Sequence, residues 1–434
     1  MKVAIVGGGW AGMAAAVTAT QAGHTAIVFE AARAVGGRAR ALNGTLPDGT
    51  PVVLDNGQHI LIGAYSETIR MMRQVGVQPE DTLLRLPLTL QFPDGEGLAL
   101  ARWPAPLDAL AGILGARGWS WADKWSLLRA ASGWQLGGFA CAQSTTVASL
   151  CTSLTPKIID TLIDPLCVSA LNTPAERASG QVFLTVLRDS LLGGSGSSNL
   201  LLPRVDLARL FPSAAAHWVQ SRGGEVRLGQ RVEQLRHGPW RVNGEPFDAV
   251  VIANSSSNAA QTLTECAQAA PELVAKQLHA WSHCAQNLQF EAITTVYVYA
   301  AGAQLTQPML ALRANTSNAP AQFVFDRGQL GGPPGLLAFV VSASTGEREA
   351  VQAQVLAQAR TQLQPALQGL DLQVVQTVVE KRATFACTPG LERPAQAISP
   401  GLVACGDYVQ GPYPATLEGA VRSGCDAIRI LETP

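Results

Sequence analysis

An α/β chain of two interleaved domains is what this sequence predicts, and three observations carry that expectation. The first is a β-α-β unit in Met1 to Arg40. The second is a strand near the other end that closes on Gly406-Asp407 and leads into a helix. The third is what lies between. At 434 residues the chain is long for one core, and 66–198 and 256–379 depart from the parallel α/β pattern.

Lys2 to Val6 is a short β-branched apolar run, as a buried parallel strand requires. Gly7, Gly9 and Gly12 follow in G-x-G-x-x-G spacing, then Ala- and Val-rich helical sequence to Ala22, with Gly23 as the stop. His24 to Glu30 is a second apolar run ending in an acid. Each position has a job in a Rossmann-like unit. Gly7 allows the turn out of the strand, Gly9 lets backbone approach a pyrophosphate, and Gly12 lets helix pack on strand. The helix N-terminus offers free N–H groups and the positive end of its dipole. Glu30 is placed for ribose hydroxyls, which favours FAD or NAD over NADP. Gly36, Gly37 and Arg38 follow at short distance. Two glycines permit close backbone approach, and Arg38 offers a fork of donors to a phosphate or a flavin edge.

Past the turns at Asn43-Gly44 and Pro47-Asp48-Gly49, the chain reaches Asp55-Asn56-Gly57-Gln58-His59 and Gly63. Ala64 to Val75 reads as a helix, and Asp81 to Leu100 as hairpin strands around Pro93-Asp94-Gly95. Residues 102–139 hold five tryptophans: Trp103, Trp119, Trp121, Trp125 and Trp134. Leu107, Leu110, Ala111 and Leu114 share one helix face, and Trp121, Trp125, Leu128 and Ser132 share another. Lys124 and Arg129 sit among them, a pattern suited either to a membrane interface or to a cap over a substrate channel. Ser144 to Arg188 continues as helices broken at prolines. Residues 193–199 connect to a helix from Val205 to Arg222 and to strands over Glu225–Leu228 and Gln230–Leu235. Asp248 to Ala253 is another buried parallel strand, ending at Asn254. Strands follow over 291–299, 322–326, 335–342 and 372–380, with a helix over 348–363 that stops ahead of Pro365.

Charged residues make up 15% of the chain and apolar residues 47%, with net charge −1 and no basic block, so nucleic-acid binding is not expected. The eight cysteines form no C-x-x-C pair or Cys/His cluster, so they read as free thiols in a reducing compartment and no metal is expected. Gly7 to Gly9 interrupt the N-terminal apolar run, so a signal peptide is not expected. Nor is a transmembrane helix.

The G-G-R run, the D-x-G-x-H-like segment of Asp55, Gly57 and His59, and Gly406-Asp407 with its helix together resemble the flavin amine oxidase and phytoene desaturase superfamily. VAIVGGGWAGMAAA is shared across that superfamily. LDNGQHILIGAY and ACGDYVQGPYPATLEGAVRSG, with the Trp-rich segment between, resemble more narrowly the squalene-associated FAD-dependent desaturases, also called hydroxysqualene dehydroxylases. The resemblance runs the full length. It implies an FAD-binding domain from 1–65, 199–255 and 380–434 and an α+β substrate domain from 66–198 and 256–379. It implies FAD contacts from Gly7, Gly9, Gly12, Glu30, Gly36, Gly37, Arg38, Gly57, His59, Val232, Asn254, Gly406, Asp407, Thr416 and Leu417. The helix after Pro414 would direct its dipole at the flavin and stabilise its reduced form.

The implied reaction is reductive removal of the hydroxyl of hydroxysqualene, giving squalene, in bacterial hopanoid biosynthesis. The implied setting is the cytoplasm, peripheral on the inner face of the membrane, with a long apolar isoprenoid as substrate and an unidentified reductant for FAD. His59 is the first candidate for the proton donor, with Tyr413 and Tyr408 beside it. A carotenoid-type desaturase, a protoporphyrinogen or amine oxidase, and a prenyl-binding carrier resembling GDP dissociation inhibitors stand as alternatives.

Overall fold

The computed structural model describes residues 1–103, 107–315 and 317–433. Its organising layer is a six-stranded sheet in the order Glu225–Leu228, Thr25–Glu30, Lys2–Val6, Ala249–Ile252, Leu402–Ala404, Ala397–Ser399. The first five are mutually parallel and the last is an antiparallel edge. Lys2–Val6 lies inside the sheet because Val3, Ala4, Ile5 and Val6 have apolar partners on both faces, as parallel strands demand. The parallel strands end on one edge, at Val6, Glu30, Ile252 and Ala404, where open α/β sheets receive ligands.

The helix Trp10–Gln21 has nine buried residues and lies between this sheet and the helices Pro212–Gln220 and Leu417–Glu432. Its small residues are what permit that depth. A Cβ on Gly12 would lie 1.9 Å from the Gly7 carbonyl oxygen, and one on Gly424 would lie 2.2 Å from that of Ala11. The first contact holds helix to strand, and the second holds the two helices together.

A second sheet of five antiparallel strands runs Met309–Ala311, Phe323–Asp326, Leu336–Val341, Phe290–Tyr299, Gln373–Phe385. Its side chains alternate. Val296, Val298, Val324 and Phe339 pack under the helix Arg348–Gln362, while Ile293, Phe323, Phe325 and Val340 face a large cavity. The last of these strands crosses position 380 without a break and runs on to Phe385.

Two elements differ from the sequence expectation. The helix expected from Val205 to Arg222 is two helices, Leu207–Leu210 and Pro212–Gln220. Pro212 disfavours helical backbone at Phe211, which sits at φ −154° and ψ −57°. Gln230 to Gln234 are irregular, and strand pairing begins only at Leu235. The buried Leu235 and Val242 anchor that small hairpin. Ser66–Gln74 forms the helix expected after the loop, and Thr89–Gln91 pairs with Gly97–Ala99 across the Pro93-Asp94-Gly95 turn. Leu83–Leu86 pairs instead with Leu200–Pro203. Among the described residues, no helix is long and apolar enough to cross a membrane.

Candidate cofactor and substrate site

One cavity of about 1100 Å³ joins the edge of the parallel sheet to the inner face of the second sheet. Pockets for one drug-sized ligand run roughly 300–1,000 Å³, so this cavity stands just above the top of that range. Gly7, Gly9, Glu30, Gly36, Gly37, Arg38, Gly57, His59, Val232, Asn254, Gly406, Asp407, Thr416 and Leu417 all border it, as do Tyr408 and Tyr413. Gly12 does not; its place is the helix–strand contact described above.

Glu30 is held from two sides. One carboxylate oxygen accepts the Gly8 N–H at 2.7 Å and the other that of Ala32 at 2.7 Å. This fixes the acid at the strand end and ties it to the glycine loop. Arg38 donates to the Asp407 carboxylate and to the Ala383 carbonyl, so residues from the two ends of the chain share one ion pair on the cavity wall. Asn56 donates to the Arg38 carbonyl at 3.0 Å and to Glu380 at 3.1 Å, bracing the arginine from behind. Thr416 caps the helix Leu417–Glu432 by accepting the Gly419 N–H at 3.1 Å, and this helix start borders the cavity.

The residues fit a dinucleotide. Gly9 has ordinary backbone angles, and a Cβ there would come no closer than 3.8 Å to its nearest protein atom, the Gly37 Cα. Neither strain nor protein contact calls for glycine at this position, and a ligand lying against the backbone does. Asn254 Oδ1 and Tyr408 Oη are buried without a partner among the described residues, and both residues border the cavity. Buried polar atoms without partners are costly, so a polar ligand is the natural source of them.

His59 donates from Nδ1 to the Gly57 carbonyl at 2.7 Å. Enclosure in the cavity wall holds its pKa below the ordinary imidazole value, and the positive Arg38 adds to that; the Gly57 bond opposes both. The ring is therefore neutral at pH 7, with Nε2 an acceptor; to serve as a proton donor it must first be charged against its surroundings. Tyr413 donates its O–H to Asp189 at 2.9 Å. Its proton thus points at the protein rather than into the cavity.

Asp55 lies beneath the His59 loop. Its carboxylate accepts the Leu207 N–H at 2.9 Å, and its carbonyl accepts the Tyr297 O–H at 2.9 Å. Desolvation pushes its pKa up to about 6, against the Leu207 bond and the charge of Arg327. A folded-state pKa above the unfolded 3.8 means a stabilising contribution that is full below 3.8 and lost as pH rises through 6. Asp55→Asn mimics the protonated form. Its gain should be near zero at pH 4 and reach up to about 3 kcal/mol at pH 8, read as melting midpoint against pH.

Three contributors escape sequence reasoning. Asp189, on the helix Gly180–Leu192, carries only the faint signal of a charged pair amid leucines. Arg393 donates to the carbonyls of Asp407, Gly411 and Tyr413 and so shapes the whole loop, but nothing in its own neighbourhood marks it. Glu418 reads from sequence only as part of the C-terminal fingerprint. Its carboxylate, 1% exposed as a residue, accepts the N–H groups of Glu67 and Thr68 and the Thr68 hydroxyl, and pairs with Arg422.

Away from the sheet edge the cavity becomes a hydrocarbon arm. Leu107, Leu110, Ile113, Leu127, Leu128 and Trp134 border it, from the helices Leu107–Gly115 and Trp121–Leu136. Leu107 and Leu110 are also solvent-exposed. On the second of these helices Trp121 is 75% exposed, Trp125 69% and Leu136 90%. Trp119 is instead buried, donating to Thr161 at 3.0 Å. The described part of 102–139 has two acids, Asp108 and Asp123, and both are buried; Arg102, Arg117 and Arg129 are exposed.

The comparisons agree with this arrangement. Residues 10–429 match the family model described as flavin containing amine oxidoreductase. A hydroxysqualene dehydroxylase of Rhodopseudomonas palustris is 27% identical, over 99% of this chain and 98% of that protein. One of Sinorhizobium fredii is 24% identical, over 98% and 96%. Among solved structures, an oxidoreductase from Methanosarcina mazei superposes with a TM-score of 0.71 at 15% identity, over 99% of this chain and 100% of that one. The chain belongs to the flavin containing amine oxidoreductase family and is an FAD-dependent oxidoreductase.

Proposed function

We propose that this enzyme reductively dehydroxylates hydroxysqualene to squalene, in hopanoid biosynthesis. The observation that carries the reading is the shape of the cavity. A polar end built from both fingerprints opens directly into an arm lined by leucine, isoleucine and phenylalanine. Such an arm binds a long hydrocarbon and excludes water from its length. The near-full-length likeness to proteins named hydroxysqualene dehydroxylase supports the same reading. Reduced FAD, when bound, supplies a hydride. In sum an allylic alcohol, a proton and a hydride give the hydrocarbon and water. The leaving hydroxyl takes the proton, and the delocalised allylic cation takes the hydride. Arg38, Asp407 and Glu30 would hold the dinucleotide. The start of the helix Leu417–Glu432 would face its negative charge.

The anaerobic reaction tests this. Dithionite-reduced holoenzyme is mixed with hydroxysqualene in detergent while the oxidised flavin band and the lipids are followed. Reoxidation with stoichiometric squalene is the expected result. Failure to reoxidise, with the oxidised enzyme instead reduced by a more saturated polyene, overturns the reading in favour of a desaturase.

The same reading places the protein peripherally on the cytoplasmic face of a membrane, since substrate and product both partition into lipid. Exposed tryptophans and leucines, in a segment whose described part has exposed arginines and no exposed acids, suit an anionic bilayer surface. Vesicles of phosphatidylcholine with phosphatidylglycerol should bind the holoenzyme, and salt should weaken that binding. Trp121→Glu with Trp125→Glu should cut it at least about 10-fold, measured by cosedimentation. Unchanged binding would remove the Trp-rich segment from the interface.

A further inference from the structure

Among the described residues that border the cavity from 66–198, Asp189 is the only charged one. It sits on the helix Gly180–Leu192, whose other cavity-bordering residues include Val186, Leu187 and Leu191. One carboxylate oxygen accepts the Arg188 Nε–H at 2.8 Å, and the other accepts the Tyr413 O–H at 2.9 Å. Tyr413 is fixed at three further points. Its carbonyl accepts from Arg393 at 3.0 Å, the Arg422 guanidinium lies 5.6 Å from its ring centroid, and prolines flank it on both sides.

Chemistry makes this pair conspicuous. A phenol has one proton and two lone pairs. With the proton committed to a carboxylate, Tyr413 Oη is left as an acceptor at the cavity wall, made more basic by the charge-assisted bond. A hydrocarbon arm by itself separates an alcohol from the matching hydrocarbon only weakly, and it penalises the alcohol for burying an unpartnered hydroxyl. One fixed acceptor reverses that preference.

We propose that Asp189 is a positioning residue that turns Tyr413 into the acceptor for the substrate's hydroxyl, so that the site grips the alcohol and releases the hydrocarbon. The proposal rests on the dehydroxylation reading above. It also explains how product leaves: squalene has the same chain as its precursor and lacks only the group that this pair holds.

The test is a titration of oxidised holoenzyme, which holds the alcohol without turning it over, with hydroxysqualene and separately with squalene, read from the flavin absorption band. Wild type should bind the alcohol on the order of 10-fold more tightly, the upper end of what one neutral hydrogen bond contributes. In Tyr413→Phe the ratio should fall to about 1 or below, and Asp189→Ala, which frees the phenol from its fixed orientation, should move toward that value, with squalene affinity and flavin content unchanged. Asp189→Asn keeps an acceptor for the tyrosine proton and should restore an intermediate ratio. A ratio unchanged in Asp189→Ala, or an equal loss for both ligands, overturns the proposal by making the contact irrelevant or merely structural. Wild type that binds both ligands equally overturns it too. Wild type that binds neither sinks the dehydroxylation reading itself.

Discussion

Gly9→Val should purify as a folded protein without its yellow colour. The polypeptide has room for a Cβ, because the nearest protein atom to one at this position is 3.8 Å away and the backbone angles are ordinary for any residue. The space it would enter is the approach to the glycine loop, where a pyrophosphate must meet backbone N–H groups directly. Displacing a phosphate by an ångström or more there should weaken FAD binding at least about 100-fold. Gly12→Ala gives the contrasting outcome. Its Cβ would meet the Gly7 carbonyl at 1.9 Å, so helix and strand must part, and both the fold and the flavin suffer. Fluorescence titration of apoprotein with FAD, alongside thermal unfolding of the same samples, separates the two. Gly9→Val with wild-type affinity would mean that the dinucleotide does not lie against this loop.

Glu418→Ala should produce the largest loss of stability. Its carboxylate satisfies two backbone N–H groups at the start of the helix Ser66–Gln74, at 3.0 and 2.8 Å, with the Thr68 hydroxyl at 2.8 Å. It also pairs with Arg422 Nε at 2.7 Å, in the first turn of its own helix. One buried anion therefore serves the positive ends of two helices and one guanidinium. Truncation leaves the two N–H groups and the Thr68 hydroxyl without this acceptor, while Arg422 keeps its bond to the Ser66 hydroxyl. Leaving these donors without an acceptor costs about 3–5 kcal/mol in sum, and the apparent melting midpoint should fall by roughly 3–5 °C. Glu418→Gln retains an acceptor oxygen for Thr68 but abandons Arg422, and should lie between alanine and wild type. A midpoint within a degree or so of wild type for the alanine variant would refute this account.

The contrast between Gly9 and Glu418 explains what was legible in the sequence. Gly9, Glu30 and Gly36 act within a few tens of residues of one another, and the need for close backbone approach imposes glycine at fixed spacing. Such requirements are written locally. Glu418 and Asp189 act across the fold: the partner of Glu418 is 350 positions away, and that of Asp189 is 224. Nothing adjacent to them in the chain dictates their identity, so only the folded contacts reveal them. Phe211-Pro212 is an intermediate case. Pro212 carries the signal for a break, but the apolar spacing on either side, taken alone, outweighs it. Val232 borders the cavity as expected although its strand is absent, because the irregular backbone of 230–234 still carries it past the sheet edge.

The ion pair between Arg38 and Asp407 has a consequence for how the protein is made. On the ribosome the first fingerprint emerges early, but strand Lys2–Val6 must wait for Ala249–Ile252 to reach its second edge, and that strand must wait for Leu402–Ala404. Pairings of such sequence separation close slowly. Throughout synthesis an apolar strand edge and an Ala-rich helix lack their final cover, the exposure that chaperones shield in large nascent chains. The flavin pocket is complete only when Asp407 and the last helix arrive. Capture of FAD accordingly waits for these distant pairings, and the cofactor then ties the glycine loop of Gly7 and Gly9 to the Gly406-Asp407 turn.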